Sequence, residues 1–145
     1  MIPLHVHSNN TFLNGTIPIG DLLDKCVEYG ISKIALTDTN SMHGVIEFVK
    51  IANEKKIKPI VGSLINSPEN EREYVLLLAK NNKGYSDLCK IITSRKLNED
   101  FSLENLLTQS LKNLFIISPS IRLLREIDPS NDFFVELIAS KNEKL

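Results

Sequence analysis

Two histidines one residue apart, His5 and His7, close a short apolar run near the start of the chain. Side chains alternate along an extended backbone, so both imidazoles face one side, with Cα atoms about 7 Å apart. Imidazole nitrogens at that spacing can share one metal ion, bridge two, or grip a phosphate. The plain alternative is a pair of hydrogen-bonded surface histidines. Asp38 is the next candidate, a carboxylate directly after the apolar run 33–37 and ahead of Thr39-Asn40-Ser41. It either joins the histidines as an oxygen ligand or caps the next helix. His43, in the same loop, is a candidate extra ligand, with a solvated loop histidine as the alternative.

An apolar strand over residues 2–7 is expected to present the histidines. A polar turn from Ser8 to Thr16 leads to a helix with Thr16 as N-cap, Pro18 in its first turn and Gly30 past its end. Its apolar face reads Leu22, Leu23, Cys26, Val27 and Ile31. A second strand over 33–37 ends at Asp38, a helix covers 44–55, and a third strand covers 58–62. These βαβ steps imply parallel strands with right-handed crossovers, whose carboxyl edge gathers His7, Asp38 and Ser63-Leu64. A charged loop, 66–72, breaks the rhythm. Beyond it a strand is expected over 74–79, a helix over 83–96, and a short helix over 103–110 capped by Ser102. Strands follow over 114–118 and 133–138, with a helical turn at 121–126 between them. Residues 1–139 read as one α/β domain and 140–145 as a polar tail.

Composition narrows the function classes. Of 145 residues 42% are hydrophobic and 24% charged, with a net charge of -1, which disfavours a basic nucleic-acid module or a polybasic membrane binder. The lysine clusters at 50–58 and 80–96, the latter with Arg95, read as solvated faces. Cys26 and Cys89 lack metal or disulfide spacing, which fits half-buried thiols of a reducing compartment. With no signal-peptide pattern and no run of about 18 apolar residues, a cytoplasmic protein is expected.

Several stretches taken together resemble one family. Leu4-His5-Val6-His7-Ser8, Ala35-Leu36-Thr37-Asp38, Gly44-Val45-Ile46-Glu47-Phe48 and Ile57-Lys58-Pro59-Ile60-Val61-Gly62 resemble the start of the polymerase-and-histidinol-phosphatase (PHP) domain. Leu76-Leu77-Leu78-Ala79-Lys80-Asn81-Asn82-Lys83-Gly84-Tyr85-Ser86-Asp87-Leu88 and the 114–118 run are similar to the N-terminal PHP domain of bacterial DNA polymerase III alpha subunits. The resemblance implies a partial or distorted (β/α)7-type barrel with mostly parallel strands. It also implies a carboxyl-end cleft that, in members with intact sites, holds up to three divalent metals: zinc, manganese or magnesium.

Carried over by position, His5 and His7 match the family's His-x-His pair and Asp38 the aspartate of its Thr-Asp-His motif. Thr39 replaces that motif's histidine, Ser63 and Leu64 replace the Cys-Glu of Gly-Cys-Glu, and Tyr74 replaces a histidine. A leucine has no lone pair and a threonine hydroxyl is a poor ligand, so a vestigial or weak metal site without catalytic residues is expected. The resemblance implies a domain for DNA replication, structural or partner-docking rather than catalytic. It would contact the rest of a polymerase alpha chain or a proofreading exonuclease, reach DNA only indirectly, and touch no membrane. A metal-dependent phosphoesterase and a free-standing truncated interaction module are the alternatives. A sheet too short to close should leave an open edge for self-association.

Overall fold

The structure, a computed structural model, describes residues 1–12 and 14–138. The expected tail 140–145, with the domain end at 139, lies outside the described residues. The elements run α1 (Ile19–Glu28), β1 (Lys33–Leu36), α2 (Val45–Glu54), β2 (Lys58–Asn66), β3 (Tyr74–Ala79), α3 (Asn82–Leu97), α4 (Leu103–Leu107), β4 (Leu114–Ser118), α5 (Ile121–Arg125) and β5 (Asp132–Val135). The strands form one five-stranded sheet in sequence order. The β1–β2 and β4–β5 pairings are parallel, while β3 is antiparallel to both of its neighbours. Four strands therefore point one way and β3 is reversed between them. The charged loop is the cause: seven residues between β2 and β3 hold no crossover helix, so the chain can only turn back on itself.

The expected first strand is not a ladder strand. Residues 1–7 do run beside β1, where Pro3 and Val6 carbonyls accept from the N–H groups of Ala35 (2.9 Å) and Thr37 (2.8 Å). Three residues on one side span two on the other, which bends the chain at His5 as a bulge does. Pro3 has no N–H to return a bond, and the N–H of Val6 goes to the Thr37 hydroxyl (2.9 Å). Thr16 does not cap α1; Pro18 holds that position without a side-chain cap. Asn81, Ser102 and Ser120 cap α3, α4 and α5 by accepting from the N–H of Gly84, Asn105 and Leu123.

Strand registers place every helix on one face of the sheet. Ile34, Leu36, Val61, Ile65, Val75, Leu77, Leu114 and Ile116 share that face. On it, α1 and α2 bury Leu23, Cys26, Phe48 and Ala52 against β1, and α3 and α4 bury Leu88, Leu103 and Leu107 against β2–β4. Val27, expected on the apolar face of α1, is exposed, because its neighbour Cys26 takes the inward direction. Cys89 is exposed rather than half-buried. No helix among the described residues is long and apolar enough to cross a membrane.

Leu88 sits at the centre of the larger cluster with no exposed surface. Leu88→Ala is expected to lower the unfolding free energy by about 2–5 kcal/mol in urea titrations. Val27→Ala should stay within about 0.5 kcal/mol.

Candidate functional site

A continuous chain of hydrogen bonds crosses the carboxyl edge of the sheet. The Tyr74 hydroxyl at the start of β3 donates to Glu136 Oε2 (2.8 Å), and Glu136 Oε1 meets His5 Nδ1 at 2.7 Å. His5 Nε2 faces His7 Nε2 at 3.1 Å, with the two rings edge to face. His7 Nδ1 lies 3.3 Å from the Thr11 hydroxyl, which donates to Asp38 Oδ1 (2.8 Å). Because Glu136 follows β5 and His5 lies alongside β1, the two margins of the sheet meet here. The sheet is curled, its concave face opposite the helices.

Asp38 is 1% exposed, and both oxygens of its carboxylate accept hydrogen bonds. Oδ1 accepts from the Ser8 N–H (2.7 Å) and the Thr11 hydroxyl, and Oδ2 accepts from the Ser8 hydroxyl (2.8 Å). These bonds tie the turn after residue 7 to the end of β1. Gly15 is required by the same packing, since a Cβ there would sit 1.7 Å from the Ser8 carbonyl oxygen. Ser63 points back to the same corner, donating to the Asp38 carbonyl (2.7 Å).

Proton positions follow from counting donors. The single Thr11 proton goes to Asp38, so His7 Nδ1 must donate to Thr11. His5 Nδ1 donates to the Glu136 carboxylate. The two Nε2 atoms face each other at 3.1 Å. The His7 imidazole is held below its ordinary pKa, first by burial and second by the neighbouring His5, with Asp38 opposing. Burial, and then the hydrogen bond to Glu136, push the Tyr74 phenol well above its usual range.

The expected site residues divide into those brought together and those not. His5 and His7 converge, and Asp38 is reached from His7 through Thr11 instead of facing a shared point. Thr39 forms an isolated bridge with Leu64, whose side chain is buried. Tyr74 takes part as a hydrogen-bond donor. His43 is exposed in the loop before α2, its backbone N–H held by the Ser41 hydroxyl (3.3 Å). Arg95 is no solvated cation: it donates to the Asn66 carbonyl (2.7 Å) and side chain (2.9 Å).

Glu136 and Thr11 were not anticipated. A carboxylate inside the apolar run Phe133-Phe134-Val135-Glu136-Leu137-Ile138 was the available signal for the first; a threonine in a polar turn carries none.

A multi-metal centre does not fit these residues. Its second sphere is here, with Glu136 behind His5 and Thr11 behind His7. Among the described residues, however, no group of three or more His, Cys, Asp and Glu side chains could hold a metal ion.

A family model described as the PHP domain matches residues 3–137. DNA polymerase III subunit alpha of Chlamydia trachomatis is 35% identical over 134 residues, which is 81% of this chain and 11% of that protein. The same subunit of Halalkalibacterium halodurans is 35% identical over 101 residues, 68% of this chain and 9% of the other. The chain thus spans about a tenth of the length of these relatives. A solved candidate metal-dependent phosphoesterase from Bifidobacterium adolescentis superposes with a TM-score of 0.48 at 19% identity, covering 72% of this chain and 37% of that one.

Removing the Asp38 carboxylate leaves two hydroxyls and a backbone N–H without their acceptor. Asp38→Ala is expected to cost about 3–5 kcal/mol in urea unfolding. For His7, the folded pKa lies below the ordinary value of 6.5, so between the two values the unfolded chain binds more protons. That contribution to stability is present above pH 6.5 and is lost as pH falls through the folded value. Thermal melts across pH 7.5–5 should therefore decline less steeply for His7→Asn than for the native chain.

Proposed function

The chain belongs to the PHP domain family, and within it we propose a non-catalytic, partner-docking domain of the DNA polymerase III alpha type that serves DNA replication. Its relationship to a segment of that subunit is direct, at 35% identity. What this chain contributes to such an assembly is the proposal. Its partners are the remainder of a polymerase alpha chain or a proofreading exonuclease subunit, with DNA reached only through them.

The observation that carries the non-catalytic reading is the occupancy of the site's donors and acceptors by one another. Phosphoester hydrolysis needs a metal-activated water, or a base with a free lone pair, beside an open position for the phosphate. Here both Asp38 oxygens accept from Ser8 and Thr11, and the two Nε2 atoms face each other at 3.1 Å. Leu64 contributes a buried hydrocarbon where a carboxylate ligand would stand. A network closed in this way holds the sheet's margins together, which is a structural task and leaves the outer faces for docking.

Metal analysis after incubation with manganese or zinc, followed by gel filtration, tests the reading. We expect less than 0.1 equivalent of metal (~) retained by both the native chain and His5→Ala/His7→Ala, and no turnover of p-nitrophenyl phosphate by either. One equivalent bound by the native chain and lost in the double variant would overturn the non-catalytic reading, and turnover lost with it would favour the phosphoesterase alternative.

A further inference from the structure

The concave face of the sheet is a trough of about 1290 Å³ whose apolar floor is Ile60, Leu76, Leu78, Phe115, Ile117 and Phe134. These residues share the face opposite the helices by strand register. One end is closed by His5 and Glu136. The other is ringed by the exposed residues Met1, Ile2, Lys33, Lys58 and Tyr85. Phe115 is 38% and Phe134 54% exposed, so the floor is wet along its β5 side.

The lysines at the open end give the trough a charge preference. Lys80 is satisfied there: it pairs with Asp132 and lies 4.7 Å over the Phe115 ring. Lys33 and Lys58 differ. They stand directly opposite each other in the parallel register of β1 and β2, and neither has a carboxylate partner among the described residues. Like charges directly across a sheet repel, and an anion between them reverses that cost.

We propose that the trough docks an apolar segment of a partner polypeptide that carries carboxylates where it emerges between Lys33 and Lys58. A broad apolar floor drawn from four adjacent strands suits an extended polypeptide segment. The backbone agrees: among the described residues β5 is paired with β4 alone, and strand addition can extend such a margin. The apolar floor supplies burial, and the lysine pair fixes which end of the guest leads. The proposal does not depend on how the histidine pair is read, because that pair lies at the closed end.

Two fluorescein-labelled heptapeptides test it, both with the core Leu-Val-Phe-Val-Leu, one led by Glu-Glu and the other by Lys-Lys. With the full chain, fluorescence polarisation should give about tenfold tighter binding of the acidic peptide at low salt. Lys33→Glu/Lys58→Glu, two surface changes whose folding is checked by thermal melts, should invert the preference, and Phe134→Asp should abolish binding of both peptides. Equal affinity for the two peptides, or an unchanged preference in the lysine variant, overturns the proposal. So does failure of both peptides to bind while sedimentation shows a concentration-dependent dimer that Phe134→Asp dissolves; the occupant would then be a second copy.

Discussion

The placement of the whole carboxyl edge rests on one buried carboxylate. Asp38 is held at the end of β1 by three donors, all from the turn that follows His7. A charge at this depth is tolerable only if its desolvation is offset by hydrogen bonds, and charge-assisted bonds at 2.7–2.8 Å supply that compensation. The cost of leaving it unpaired makes the turn's position obligatory. Thr11 transmits the constraint to His7, His7 to His5, and His5 to Glu136 beyond the far strand. A buried carboxylate beside β1 is thereby linked to the residue that follows β5.

Much of the architecture was legible because period and punctuation agree in it. Residues 74–79 and 114–118 are apolar runs bounded by polar residues, and both are strands over those same residues. Ser102 was readable as a cap because a small hydroxyl precedes an apolar helical repeat. The first strand was misread partly because Pro3 cannot donate to a ladder, and partly because the Thr37 hydroxyl takes the Val6 N–H. The reversal of β3 was implicit in the missing crossover helix, yet loop length states it only once both strands are known. Four of the five strands run in one direction, and a closed barrel is not among the described features.

The site was half legible. His5 and His7 announce themselves by alternation, and Asp38 by its place after an apolar run. Their true relationship depends on Thr11 and Glu136, one of them 131 positions from its partner, and no local pattern encodes such a contact. Thr39, Leu64 and Tyr74 lie at the same edge of the sheet. Leu64 extends the apolar surface of β2, Thr39 bridges to it, and the Tyr74 hydroxyl meets the carboxylate that also serves His5. All three serve hydrogen bonding or packing at this edge.

The exposure of β5 has a consequence for where the molecule opens. All four of its residues are exposed, and its ladder is short and one-sided. Beyond that ladder, Glu136 and the Lys80–Asp132 pair are the polar ties described for this margin. β1 and α2, by contrast, bury Ile34, Leu36, Phe48 and Ala52 in a core shared with α1. With so little burial holding it, β5 has the lowest cost of local opening in the sheet. The same strand is the first to detach under native conditions, so its amides exchange with solvent through a local opening while those of β3 wait for global unfolding.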